Sequence, residues 1–274
     1  MADSRGDGRV LPGICWALVR AGMREQMQFR ANFIVEMLFG LIYQTVGFAF
    51  IWVVLGKFQA IGGWTLQEVT LLYGIQLMGY ALWELAFSRI MLVQPMVLMG
   101  EYDTMLVRPM PIALQFMFGG FRIAVLGNLL GAIALLGTGL RGAEIAWSPW
   151  KVMFLILAVI GSGMIRGGFE LAGSALVFRS PETYWVQYLS YLAFGQFGSY
   201  PLDIFAIGLR RFMTFVLPVA FTAWVPAAVL MDKTDALPFP EWVAWGTPLL
   251  GLACTAAAWW IFMHESKHYQ SSGS

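Results

Sequence analysis

Apolar residues in this chain come in long blocks rather than in alternation. Nearly unbroken apolar stretches occupy about 31–56, 66–94 and 112–140, a fourth ends near Phe178, and a last one runs over about 242–263. An apolar helix of about 20 residues crosses ~30 Å of hydrocarbon, so each block predicts a membrane-spanning α-helix. Two further stretches are ambiguous. Residues 183–200 are shorter and more polar, and residues 204–231 are apolar but broken by Pro218 and Pro226. A proline-broken element at membrane depth is tolerable only where protein or water satisfies the freed backbone groups.

Ahead of the first block the pattern changes. Leu11, Ile14, Leu18, Met23 and Met27 recur at helical spacing, while Trp16, Arg20, Arg24 and Gln28 recur every four residues on another face. This predicts an amphipathic helix lying in the membrane interface. The opening residues are polar, and Arg20, Arg24 and Arg30 interrupt the segment after them. No cleavable leader with an unbroken apolar core is therefore expected, and the first span stays as an anchor. The expected organisation is an amino-terminal segment 1–30 with the interfacial helix, a transmembrane domain 31–263 and a polar tail 264–274.

Composition sharpens this picture. The chain is 59% hydrophobic and 12% charged, against about a quarter charged in soluble domains, which excludes an ordinary water-soluble fold. No lysine-arginine run of the kind that neutralises phosphates is present, so nucleic acid is not an expected partner and lipid is. Cys15 and Cys254 belong to no C-x-x-C pair. The arginines cluster before the first span and recur in the loops after the second and fourth, at Arg89, Arg108 and Arg179. Positively charged flanks stay in the cytoplasm, so both termini are expected inside. That leaves an odd number of crossings between Arg179 and Trp242. Charge favours 204–231 as the fifth span, because Arg210 and Arg211 would then be cytoplasmic; its two prolines favour an element that enters and leaves the outer leaflet.

Candidate chemistry is sparse. No G-x-x-x-x-G-K-[ST] loop is present, so nucleotide energy would have to come from another polypeptide. His264, Glu265 and His268 match H-E-x-x-H literally, but no third ligand of the usual kind accompanies them, and a solvated helix end is the expected role, with no metal. More informative are Glu36, Glu84, Arg122, Arg166, Glu170 and Asp203, ionisable residues within apolar segments that cost several kcal/mol at mid-membrane unless paired or wet. Arg166 and Glu170, four apart, would share a helix face and pair. Glu84 and Arg122 lie on consecutive spans and could meet across the bundle. Gly127 with Gly131 and Gly163 with Gly167 have the spacing that lets helices approach closely in lipid.

The stretch 100–111, Gly-Glu-Tyr-Asp-Thr-Met-Leu-Val-Arg-Pro-Met-Pro, and Tyr200-Pro201-Leu202-Asp203 with the later Leu209-Arg210-Arg211 and Phe215-Val216-Leu217-Pro218 carry a family resemblance. Together with the order of spans, they resemble the type-2 ATP-binding-cassette permeases, in particular six-helix bacterial exporter subunits. The resemblance implies an all-α polytopic membrane protein with about six spans, 183–200 as the fifth and 204–231 re-entrant before the last. It also implies residence in the bacterial inner membrane and a complex with a second permease, paralogous or identical, and with cytoplasmic ATPase subunits. These would hold the ATP and magnesium, with none on this chain. The loop 95–111 would be the coupling element, through Glu101, Tyr102, Asp103 and Arg108, and the cargo would be hydrophobic or amphiphilic. From a different class, the residues alone also allow a proton-coupled secondary transporter using Glu84, Arg122 and Glu170. An intramembrane enzyme is disfavoured, since no nucleophile-base or metal-ligand set can be placed on facing helices.

Overall fold

The computed structural model describes residues 20, 24, 30–58, 60–87, 89–108, 112–118, 124–180 and 183–269. Arg122 and most of the amphipathic segment 11–30 lie outside the described residues. The chain is helical nearly throughout, with helices α1 (Arg30–Phe58), α2 (Leu66–Phe87), α3 (Val93–Leu98), α4 (Glu101–Leu106), α5 (Ile112–Phe118), α6 (Ala124–Gly142) and α7 (Pro149–Ala175). Next come α8 (Tyr184–Gln196), α9 (Ile207–Phe215), α10 (Trp224–Leu230), α11 (Glu241–Trp245) and α12 (Thr247–Glu265). A two-residue antiparallel pair, β1 (Ala60–Ile61) and β2 (Trp64–Thr65), makes the turn between α1 and α2 over Gly62 and Gly63, both at positive φ. Among the described residues three helices are long and apolar enough to cross a membrane, within Val125–Gly142, Pro149–Phe178 and Thr247–His268, and Ile34–Ala49 is a shorter apolar stretch. The chain is a multi-pass membrane protein.

Prolines fix the breaks. The apolar pattern predicts a second helix continuing to Gln94, but α2 ends at Phe87, because Pro95 falls in the first turn of a new helix, α3, where its missing N–H costs no hydrogen bond. Pro218 likewise opens the 3-10 turn Pro218–Thr222, and Pro226 sits in the first turn of α10, so the apolar run 204–231 folds as short separate pieces. α10 is buried along its whole length against α2 and α7.

Both ends of that run return to the same place. The Trp64 indole Nε1 donates to Asp203 Oδ2 at 2.8 Å. Beyond α10, Lys233 Nζ donates to Glu68 at 2.7 Å and to the Gly63 carbonyl at 3.2 Å. Lys151, at the start of α7, holds the Leu230 carbonyl at 2.9 Å and the Asp232 carboxylate at 2.8 Å. The α1–α2 turn, the start of α7 and both ends of 203–233 therefore share one end of the bundle. The opposite end carries α3 and α4, Arg179 and the end of α12, where Arg179 clasps Glu265 with Nη2–Oε1 at 3.1 Å.

α2 and α7 are the central helices, α2 packing on α6 and α7, and α7 on α12. Close approach is made through glycine. A methyl group placed on Gly79 would stand 2.7 Å from the Val159 carbonyl oxygen and 2.8 Å from the Gly163 nitrogen, and one on Gly251 would stand 2.7 Å from the Gly161 carbonyl oxygen. Backbones this close maximise dispersion contact where lipid offers no hydrophobic drive for association. Accordingly, Gly79→Ala is expected to cost about 1–3 kcal/mol by overpacking, read as a lower thermal midpoint of the purified protein. Gly137, which faces open space, is the control: Gly137→Ala should leave the midpoint level or raise it by up to ~1 kcal/mol equivalent through helix propensity.

Candidate functional site

A cavity of about 920 Å³ lies among α1, α2, α6, α7 and α8. Its walls are set by helical spacing. α1 contributes Val35 and Glu36, Phe39 and Gly40, Tyr43 and Gln44, then Val46 and Gly47, one stripe of a 3.6-residue period. α2 contributes Tyr73, Gln76, Leu77, Tyr80 and Glu84 in the same way. Asn128 enters from α6 and Arg166 from α7, while Tyr191 and the turn after α8, with Ser199 and Tyr200, close the side.

The polar groups of this wall satisfy one another. Asn128 donates to Glu84 Oε2 at 3.0 Å and accepts from Gln44 at 3.4 Å, and Gln44 accepts from the Tyr73 hydroxyl at 2.9 Å, so α1, α2 and α6 are joined by one chain of hydrogen bonds. Arg166 donates from Nε to Glu170 at 3.2 Å, and its guanidinium lies 3.4 Å from the centre of the Tyr80 ring and 5.7 Å from that of Tyr191. Arg166 and Glu170 are 6% and 2% exposed, which makes them a buried pair. The Tyr43 and Tyr191 hydroxyls meet at 2.6 Å, and Ser199 donates to Gln76 at 2.8 Å.

The predicted ionisable residues thus divide. Arg166 and Glu170 form the ion pair that their spacing implies, and Glu84 lines the same cavity as Arg166. Arg122 lies outside the described residues. Asp203 is elsewhere, at the end of the bundle that holds Trp64; burial raises its carboxyl above the usual range, against the Trp64 hydrogen bond that lowers it. Sequence reasoning passed over Tyr43, Tyr73, Tyr80, Tyr191, Gln44, Gln76 and Asn128. Their signal was present as uncharged polar residues three, four or seven apart within apolar blocks, but ionisable groups alone drew attention.

The segment 95–111 gives a second cluster. Gly100 at φ 72° turns the chain between α3 and α4. The short α4 buries Tyr102 and Met105 and exposes Glu101. Tyr102 is fully buried, its ring 5.0 Å from Phe178 at the end of α7 and 4.9 Å from Tyr269 beyond α12, and Phe178 in turn packs 5.4 Å from Phe262 of α12. Burial pushes the Tyr102 hydroxyl up to about 12. Asp103 is half-buried. What faces outward here is Glu101, Arg108 and the apolar side chains of Leu98, Met99, Leu106 and Val107. Of the four residues singled out in this loop, Glu101 and Arg108 are therefore open to a partner, while Tyr102 is turned into the chain's own core. His264, Glu265 and His268 cluster within 4.8 Å of one another. Glu265, however, is held by Arg179.

A family model described as "ABC-2 family transporter protein" matches residues 41–273. Among curated proteins and among solved structures nothing matches.

This geometry sets two expectations. Glu170→Leu leaves the Arg166 guanidinium buried without its carboxylate and should cost about 3–5 kcal/mol, whereas Arg166→Met combined with Glu170→Leu should recover much of that loss, as thermal unfolding of the three proteins would read. Because burial pushes the folded Tyr102 hydroxyl up from 10.0 to about 12, its contribution is intact below pH 10. It is lost as pH rises towards 12, since the unfolded chain ionises first. The alkaline fall in stability over that window should be smaller in Tyr102→Phe than in the parent chain.

Proposed function

The chain belongs to the ABC-2 transporter family, and from that premise we propose that it is one permease subunit of a bacterial inner-membrane exporter. Family membership implies ATPase partner subunits. In this reading the permease pairs with a second permease, a copy of itself or a paralogue, and lines one wall of the path taken by a hydrophobic or amphiphilic cargo. ATP and magnesium belong to the partner ATPases.

The observation that carries the proposal is the two-sided construction of the α3–α4 segment. Its outer side offers exposed apolar residues flanked by Glu101 and Arg108, a composition suited to a protein interface. Its inner side drives Tyr102 between the end of α7 and the tyrosine beyond α12. An ATPase that grips the segment differently in its two nucleotide states shifts the permease between two arrangements by that difference in binding. Tyr102 then passes the displacement to α7 and α12, which touch backbone to backbone at Gly161 and Gly251 and so move together.

For topology, the proposal takes α1, α2, α5 with α6, α7, α8 and α12 as the crossings, about six in all, with both termini cytoplasmic and 204–231 re-entrant from the outer side. Support comes from the two ends of 203–233, which meet the same α1–α2 turn. The cost is that Arg210 and Arg211 then lie outside, against the usual charge bias. The rival reading, a proton-coupled transporter, draws on the buried carboxylates Glu84 and Glu170 beside the cavity.

The two readings separate on purification of the tagged native complex. An ATPase recovered in stoichiometric amount supports the permease; transport by this chain alone in proteoliposomes, driven by a pH gradient, sinks it. Within the complex, Val107→Asp should weaken ATPase association about tenfold by placing a charge in an apolar contact, while Tyr102→Leu should leave pull-down intact and abolish cargo stimulation of ATP hydrolysis. A cysteine at position 211, in a background lacking Cys15 and Cys254, should label from the periplasmic side; labelling only after the inner face is opened would make 204–231 a full crossing.

A further inference from the structure

The two neighbouring arginines of α9 are built into different surroundings. We propose that α9 is immersed in the outer leaflet and that Arg211 holds the phosphate of an anionic phospholipid there, an inference that rests on the permease reading only for the side of the membrane.

One face of α9 packs on the turn Pro218–Thr222 and the other is open. On the packed face Met213 and Thr214 are buried and Arg210 is half-buried, its Nε shielded from solvent. Arg211 lies on the open face and is exposed. Ile207, Arg211 and Phe215 follow one another every four residues and so form one stripe, with Phe212 and Val216 on the next. Ile207, Phe215 and Val216 are 58%, 63% and 61% exposed, so the open face is apolar apart from a single guanidinium. Among the described residues no hydrogen bond or ion pair engages the Arg211 side chain.

These features together select lipid. A contiguous apolar face is poorly accommodated by water, whereas acyl chains cover Ile207, Phe212, Phe215 and Val216 directly. Arg211 lays its methylene stem along that surface and carries its guanidinium to the level of the headgroups. There the planar fork takes two phosphate oxygens at once. A zwitterionic headgroup carries its own ammonium beside the phosphate and offers no net charge, while an anionic one adds a favourable field for each arginine near the surface. A second permease on this face would have to bring a carboxylate to Arg211 as well as apolar side chains; a phospholipid brings the anion and the tails in one molecule. Its phosphate also offsets the positive charge that α9 carries on the side where arginine is disfavoured.

The purified full chain in detergent micelles is titrated with dioleoylphosphatidylglycerol or dioleoylphosphatidylcholine, and bound lipid is read by native mass spectrometry. The phosphatidylglycerol should bind the more tightly. Arg211→Gln, at an exposed position that leaves packing untouched, should weaken phosphatidylglycerol about fivefold, the worth of one arginine at an anionic surface, and leave phosphatidylcholine level. Arg141→Gln removes another exposed arginine, in the last turn of α6, and should leave both affinities level. Excess sn-glycerol 3-phosphate, which has the phosphate without the tails, should not displace the lipid. Equal binding of the two lipids, equal losses in Arg211→Gln and Arg141→Gln, or displacement by glycerol phosphate would each overturn the proposal. So would a dimer that Arg211→Gln converts to monomers with lipid binding unchanged, since the face would then belong to a second permease. The cysteine at position 211 decides the side separately. Labelling from the inner face alone would overturn the outer-leaflet assignment together with the proposed topology, whereas outer labelling without lipid selectivity overturns the lipid site and leaves the permease reading intact.

Discussion

Lipid offers no hydrogen bonds, so each polar group carried into a span has to be satisfied by the protein itself. In this chain that constraint organises the interior. The guanidinium of Arg166 cannot stay charged amid apolar helices without Glu170 on its own helix and Tyr80 on the next, and those contacts fix how α2 and α7 face each other. The hydrogen-bond chain from Tyr73 through Gln44 and Asn128 to Glu84 does the same for α1 and α6. Elsewhere the helices are free to close up until their backbones touch, and glycine marks where they do. The cavity is what remains where polar wall and close packing are incompatible.

The far end of the bundle obeys a different rule. Tyr102, Phe178, Phe262 and Tyr269 come from four separate segments and interlock by edge and tilt contacts, an arrangement in which no ring shifts alone. Rigid aromatic contact of this kind transmits displacement rather than absorbing it. The short α4 is therefore part of the helix core on one side and part of the surface on the other.

Much of this was legible in the sequence, and the physical reason for the rest is specific. Block length and hydropathy announce α1, α2, α6, α7 and α12, because a span is a local property of the chain. The i, i+4 spacing of Arg166 and Glu170 announces their pair for the same reason. The end of α2 was misplaced because Pro95 marks the beginning of a helix rather than the end of one. The inward turn of Tyr102 depends on Phe178 and Tyr269, both remote in sequence, and no periodicity within a six-residue helix could reveal them. The cavity is less legible still, since five helices contribute to it and their facing is not a local property of the chain. The interfacial helix expected over 11–30 and the meeting of Glu84 with Arg122 involve residues outside those described.

The tethers of the segment 203–233 are unequal in kind. At its start the Trp64 indole holds Asp203 by a single directional hydrogen bond, while at its end two lysines, Lys151 and Lys233, hold carboxylates and carbonyls largely by charge, and Asp232 is mostly exposed. Dissolved ions screen exposed charge pairs over about 8 Å at physiological ionic strength and leave an indole hydrogen bond almost untouched. Rising salinity on that side of the membrane would thus weaken the exposed Asp232 contact and spare the indole hydrogen bond, while α10 itself stays buried against α2 and α7.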